Sequence, residues 1–413
     1  MTHGPFSASL VSTREVMAAP QAHAPQAHAP QAHAPQACAP HAHAPHAYAL
    51  EAARLVTDAH PHTRRPARYI GTESVAGPLA GVLDKFRAQP DTVFPERYCL
   101  SLHNVIVAGP GLVFTESPDG GRALLQESAA QTLAKAAPPK GLTRQDANRF
   151  TCDLPITHTL PGRYLFLKRP APNNLALWLV EQAAALALLI DRDCLATPHL
   201  ILGRIDSPAL LDQVCDLVGT LLPGAILHHL PDDEAWRVEQ IDYLEPLHLP
   251  PLHKHGGALK RLQQHILGAP PTLDPSGPTY FVLQHGGGRT LANEPRILDI
   301  AQDFGFTPLD TTHFPARDLA AMFAGARAIV GAKGPAMACS LFAPPGCKVA
   351  HISPANLIDP FFWDLASRLD HDYTEIFCRI PAAPPPGRGI RYFLAEKAAV
   401  SLFRDITAQA AGA

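Results

Sequence analysis

Two short stretches hold residues whose types and spacing could do chemistry. One reads HGGGRTLANE and runs from His285 to Glu294. The other reads GAKGP, from Gly331 to Pro335. Each follows an apolar run of strand type and precedes a helical pattern. Glycines there let the backbone approach a ligand, and a helix N-terminus offers N–H groups and a favourable dipole to an anion. Arg289 and Lys333 add positive charge to these loops. A nucleotide diphosphate suits that chemistry. Neither loop is a standard signature: the first is not G-x-G-x-x-G, and the second lacks the spacing G-x-x-x-x-G-K-[ST]. An ordinary glycine turn and a solvated lysine account for the same letters.

A third candidate is Glu181. It lies in LALWLVEQAAALALLI, Leu175 to Ile190, a run that is otherwise almost wholly apolar. Burying a carboxylate there is costly unless it is paired or faces a cleft, which makes Glu181 a candidate general base; a salt-bridged surface glutamate is the plainer alternative. His228, His229, His248, His253 and His255 lie near one another in sequence, without a helical i, i+4 ligand pair backed by a carboxylate. They read as surface or cleft histidines, with no metal site expected.

The elements that must position these residues alternate. From Asp91 to Glu127, β-type runs broken by Gly-Pro-Gly and Asp-Gly-Gly suggest a small antiparallel meander. After Pro161 the chain alternates strand and helix as far as the linker GAPPTLDPSGP, Gly268 to Pro278. A second alternating block follows, then a proline-rich break, PAAPPPGRG, and a last helix. Two βα blocks imply an α/β protein with two Rossmann-like, doubly wound domains facing a cleft, where ligands bind beyond the carboxyl ends of the strands. The expected divisions are a tail at 1–50, a segment with the meander at 51–160, Rossmann-like domains at 161–270 and 271–380, and a linker with the C-terminal helix at 381–413.

Composition narrows the field. A chain of 413 residues, 46% hydrophobic, can bury sizeable cores. A net charge of −3 gives no global basic field of the kind nucleic-acid binders show. The eight cysteines form no C-x-x-C pair and sit mostly in apolar runs, so buried thiols in a reducing compartment are expected. The N-terminus has no secretory pattern, and the most apolar run is too short and too polar to span a bilayer. A cytoplasmic location follows as the expectation, compatible with peripheral contact at the inner face of a membrane. Residues 19–48 repeat APQAH-type pentapeptides, in which proline every fifth residue blocks helix and ladder; a disordered tail is expected. Its histidines admit metal binding, although incidental histidines in an expanded repeat explain them as well.

These residues together resemble glycosyltransferase family 61, over roughly Tyr98 to Tyr373. IVGAKGPAMACSLFAPPGCKV is similar to the family's strand, H-G-A-G-L turn, short helix and "lF.pPG..v". Arg289 to Glu294 matches its "R.i.NE", FFWDLASRLDHDY resembles its "y..la..lg..Y", and NNLALWLVE resembles its "N..HW...[DE]". Lys333 stands where the family usually has histidine, Pro335 where it has alanine, Ala336 where it has the second glycine, and Leu177 where it has the first motif's histidine. Gln284 or His285 stands where an arginine is common.

The resemblance implies a GT-B fold and transfer of a sugar from a UDP- or GDP-sugar, typically inverting and with no obligatory cofactor or metal. It implies donor contacts at His285, Arg289, Asn293, Glu294, Lys333 and Gly334, an acceptor side at Asn174 and Trp178, and Glu181 as base. The implied partners are the nucleotide sugar, a glycan or lipid-linked glycan acceptor, and other polysaccharide-assembly proteins, with no nucleic acid. Loss of the two family histidines leaves open a second reading, a catalytically degenerate scaffold that binds nucleotide, glycan or a partner enzyme.

Overall fold

A computed structural model describes residues 5–18, 49–75, 77–88, 91–116, 121–133, 140–250, 253–285, 288–381 and 389–408. The pentapeptide array and the PAAPPPGRG break fall almost wholly outside these residues. The architecture is mixed α/β, built on two large sheets.

The expected meander does not stand by itself. Its strands Arg97–Ala108, Leu112–Glu116 and Arg122–Leu125 are hydrogen-bonded into the sheet that also carries the first βα block. The seam is the antiparallel pairing of Arg97–Ala108 with Ala235–Leu244. Beyond it, Ala235–Leu244, Ile156–Phe166, His199–Gly203 and Ile226–Leu230 run parallel.

The long strands of this sheet change direction at one level. Asn104 has φ 50°, Gly162 has φ 85°, and the register between Ile156–Phe166 and its partner slips between Leu160 and Arg163. Such a break bends a strand sharply. The bend folds the sheet over itself. Val107 and Val113 from one half therefore share a core with Phe166, Ile201 and Tyr243 from the other. Gly111 lies so close to the Lys168 carbonyl that a Cβ would sit 2.9 Å from it.

The second sheet is parallel throughout. Its order is Thr307–Leu309, Thr279–Val282, Ala328–Ala332, Lys348–Pro354, Asp372–Cys378, with Arg68–Ile70 added at the edge. In chain order the five βα strands run 2-1-3-4-5, a doubly wound arrangement with its switch point between Thr279–Val282 and Ala328–Ala332.

The helices between the sheets form a single apolar core. Leu186, Leu259 and Leu262 from the first block pack in one cluster with Leu319, Phe323 and Leu341 from the second. A buried charge cluster ties the same regions together. Asp364 accepts hydrogen bonds from Arg64 Nε and from the Lys254 backbone N–H, each at 2.8 Å. The Lys254 ammonium donates to the Phe361 carbonyl at 2.7 Å, and complete burial pulls its pKa down to about 8.

Candidate active site at the switch point

The strand ends that lead into the two glycine loops meet. The strand Thr279–Val282 runs into Leu283, Gln284 and His285; the strand Ala328–Ala332 runs into Lys333 and Gly334. Gly334 packs so tightly on the Gln284 side chain that a Cβ would lie 2.0 Å from its Oε1. Gly331 is similarly confined by the Val282 carbonyl and Met337 Sδ. After Gly334 the chain enters the expected short helix, which is a 3-10 helix, Pro335–Phe342. Pro335 fits the first turn of such a helix because no N–H is needed there.

Beside these strand ends, Glu294 opens the helix Glu294–Asp303, and burial pushes its carboxyl up while the Gln284 backbone N–H holds it down. His285 is half exposed, with Nε2 2.8 Å from Asp310 Oδ2. Asn293 clasps the chain's C-terminal segment instead of capping its helix: Nδ2 donates to the Leu394 carbonyl at 2.8 Å, and Oδ1 accepts from the Leu394 N–H at 3.3 Å. Arg289 pairs through its backbone with Ile390. Among the described residues its guanidinium has neither a hydrogen-bond nor an ion-pair partner. Gly286 and Gly287, the first two glycines of the loop, lie outside the described residues.

Lys333 is placed differently from a loop lysine awaiting a ligand. It is 2% exposed, and its ammonium donates to Glu375 Oε1 and to the Asp359 carbonyl, both at 2.6 Å. Glu375 is further held by Ser353 Oγ at 2.7 Å and the Tyr373 hydroxyl at 3.1 Å. The lysine charge is thus already balanced inside the sheet end. Sequence reasoning misses Glu375. Its signal there is faint: in Asp372–Cys378 the face shared by Tyr373, Glu375 and Phe377 mixes one carboxylate with aromatics.

The first motif reaches the same place from the other block. Asn174 caps the helix that starts at Leu175, its Oδ1 accepting from the N–H groups of Ala176 at 3.0 Å and Leu177 at 3.3 Å. The turn Leu175–Leu177 packs on the 3-10 helix Pro335–Phe342. The chain then widens into a π turn, Trp178–Ala183, a form common at functional sites. Trp178 is buried there, and its Nε1 has no hydrogen-bond partner among the described residues.

Glu181 sits within that turn, 2% exposed. Its carboxylate accepts from the backbone N–H of Leu247 at 3.0 Å and of His248 at 2.8 Å, with Arg169 Nε 3.8 Å away. Burial pushes the carboxyl up to about 6, against the opposing pull of Arg169 and the two N–H groups. The structure therefore brings Asn174, Lys333, Gly334, Gln284, His285 and Glu294 to adjoining loops, and sets Trp178 and Glu181 in the protein interior behind them.

A family model described as Glycosyltransferase 61 matches residues 15–350. The chain belongs to glycosyltransferase family 61. No curated protein matches it. As a family 61 member the chain is read as a glycosyltransferase, with a sugar donor and a glycan acceptor as the substrates the family implies. Among the described residues, no helix is long and apolar enough to cross a membrane, and no group of three or more His, Cys, Asp or Glu side chains could hold a metal ion. The cysteines among the described residues are free thiols, most of them buried.

Proposed function

We propose that this family 61 chain moves a sugar from a nucleotide-sugar donor to a glycan acceptor, in a GT-B arrangement, for surface or extracellular polysaccharide assembly on the cytoplasmic side. The observation that carries this reading is the contact of Gly334 with Gln284 at the switch point, where one strand leads into His285 and the other into Lys333; among the described residues the Arg289 guanidinium, four positions beyond His285, has no hydrogen-bond or ion-pair partner. In open α/β sheets that crevice is where ligands sit. Backbone N–H groups of the Gly334 loop and the charge of Arg289 would stabilise the leaving nucleoside diphosphate, so no metal ion is needed. In the inverting step the acceptor hydroxyl oxygen bonds to the anomeric carbon, the bond from that carbon to the diphosphate breaks, and the hydroxyl proton passes to a base.

Under this reading two roles differ from those the resemblance implies. Lys333 supports the crevice floor through Glu375, and Arg289 carries the diphosphate. Glu181 has a suitable basicity near neutrality, and acting as the base requires it to release Leu247 and His248.

Calorimetric titration with UDP, GDP and CMP tests the donor site. Binding of one nucleotide that is lost in Arg289→Ala supports it. Release of free nucleotide from the matching nucleotide sugar on addition of acceptor then separates enzyme from scaffold. No nucleotide binding sinks the proposal.

A further inference from the structure

Two histidines meet on adjacent strands of the first sheet, in the other block from the glycine loops. The strands Ile156–Phe166, His199–Gly203 and Ile226–Leu230 are neighbours and run parallel. Leu165 is level with Leu200, and His199 with Ile226. Side chains alternate along a strand, so Tyr164, His199 and His228 lie on one face. His199 Nδ1 stands 3.1 Å from His228 Nε2. The Tyr164 ring flanks both, with ring centres 5.4 Å and 5.1 Å away. Tyr164, Ile201 and Leu230 belong to the core beneath, while both imidazoles are half-buried and reach solvent.

Chemistry narrows what the pair can hold. Among the described residues neither ring has a carboxylate or carbonyl partner; each is hydrogen-bonded only to the other. One of the two facing nitrogens accepts in that contact, so a lone pair already points into the gap. A metal ion in place of the shared proton uses both lone pairs. Metal–imidazole bonds of about 2.0–2.1 Å across the 3.1 Å gap enclose an angle of about 100°. That value lies between the right angle of a square-planar nickel ion and the tetrahedral angle of zinc, and imidazole suits both metals. The rings are thus spaced as two ligands of one ion, and water reaches the remaining positions.

The place also gives such an ion a mechanical use. Among the described residues Ile226–Leu230 is the last strand of its sheet, paired along one edge only, and its Ile226 is 46% exposed. An unpaired edge strand is a weak point of a sheet. An ion held by both rings ties that strand to its inner neighbour.

We infer that His199 and His228 are the protein ligands of a divalent transition cation, zinc or nickel, that staples the outermost strand of the first sheet. The site stands apart from sugar transfer and does not rest on that reading. Thermal unfolding of the full chain in zinc chloride or nickel chloride, each against EDTA, tests it. A cation that needs both strands binds only the folded chain, and at about ten times its dissociation constant it raises the melting temperature by about 2 °C. The histidines of the pentapeptide array lie close in sequence, so a cation they take is taken by the unfolded chain too and gives no such rise. The rise is expected in wild type with at least one of the two metals, and it should vanish in His199→Ala and in His228→Ala. His229→Ala should keep it, because that ring lies on the other face, with Nδ1 3.3 Å from the Gly203 carbonyl. Each variant is compared with itself in EDTA, so a changed baseline does not alter the result.

No rise in wild type with either metal overturns the inference. A rise that survives His199→Ala or His228→Ala, or one that disappears in His229→Ala, overturns it as well, since the cation then sits elsewhere. Crystals grown with zinc supply a measurement that needs no variant. An anomalous peak about 2.1 Å from both facing nitrogens is expected. Two ordered rings with no peak between them would mean that the pair is a hydrogen bond only, and that outcome also overturns the inference.

Discussion

The ammonium of Lys333 and the carboxylate of Glu375 meet at 2.6 Å, with both side chains almost wholly shielded from water. Such a pair is worth little net stability as a unit, because each charge has lost its hydration, yet breaking it leaves one charge stranded. Lys333→Met is therefore expected to cost about 3–5 kcal/mol. The double variant Lys333→Met, Glu375→Gln should recover most of that loss. Guanidinium denaturation of the four proteins in the cycle measures it. Equal losses in the single and double variants would show that the lysine contributes by packing, not by charge balance.

Gly334 has φ −172°, which any residue adopts, so the backbone does not demand glycine there. The demand comes from Gln284, whose side chain fills the space of a Cβ. Gly334→Ala should destabilise the protein by about 1–3 kcal/mol through overpacking. Adding Gln284→Ala should remove most of the penalty. Thermal melts of the single and double variants decide this; a penalty that persists without the glutamine side chain would place the clash elsewhere.

By resemblance Asn174 is an acceptor-side residue, and its visible work is capping. Asn174→Ala should cost about 1 kcal/mol, with Asn174→Asp retaining most of the stability. Urea unfolding of the two variants checks it. A null effect in Asn174→Ala would mean that the helix start is held by its contact with Pro335–Phe342 alone.

The alternation of strand and helix is legible in the sequence because apolar runs such as Ala328–Ala332 and His199–Gly203 are bounded by glycine, proline and helical periods. Placing the loops of His285 and Gly334 at strand ends follows from the same punctuation, and the structure sets Gly334 against Gln284, the residue before His285. The folded-over first sheet is not legible. It depends on Asn104 in a left-handed conformation and on the register break at Gly162, and asparagine or glycine in a strand does not announce how far a chain bends. The strand Asp372–Cys378 and the role of Glu375 also escape, since pairing with Lys333 spans 42 positions of sequence and leaves no local pattern. Lys333 reads as solvated for that reason: its partner lies two strands away.

Glu181 gives the clearest pH dependence. Its carboxyl ionises near 4.5 in an unfolded chain and at about 6 in the folded one. The folded protein therefore holds the proton more tightly, and stability from this group is fully present below about 4.5 and lost as pH rises through about 6. The gap corresponds to roughly 2 kcal/mol. Glu181→Gln removes the titration while leaving an oxygen to accept from Leu247 or His248. The absolute stability of the variant will differ, because Arg169 loses its counter-charge. The informative quantity is the difference between wild type and variant followed from about pH 4 to about pH 7.5. That difference should move by about 2 kcal/mol against the wild type as pH rises, most of it between about pH 4.5 and about pH 6.5. Curves that run parallel across the range would show that Glu181 ionises at its ordinary value in the folded protein. The two backbone N–H groups and Arg169 would then outweigh burial, and the carboxylate would be too weak a base near neutrality to take a proton from an acceptor hydroxyl.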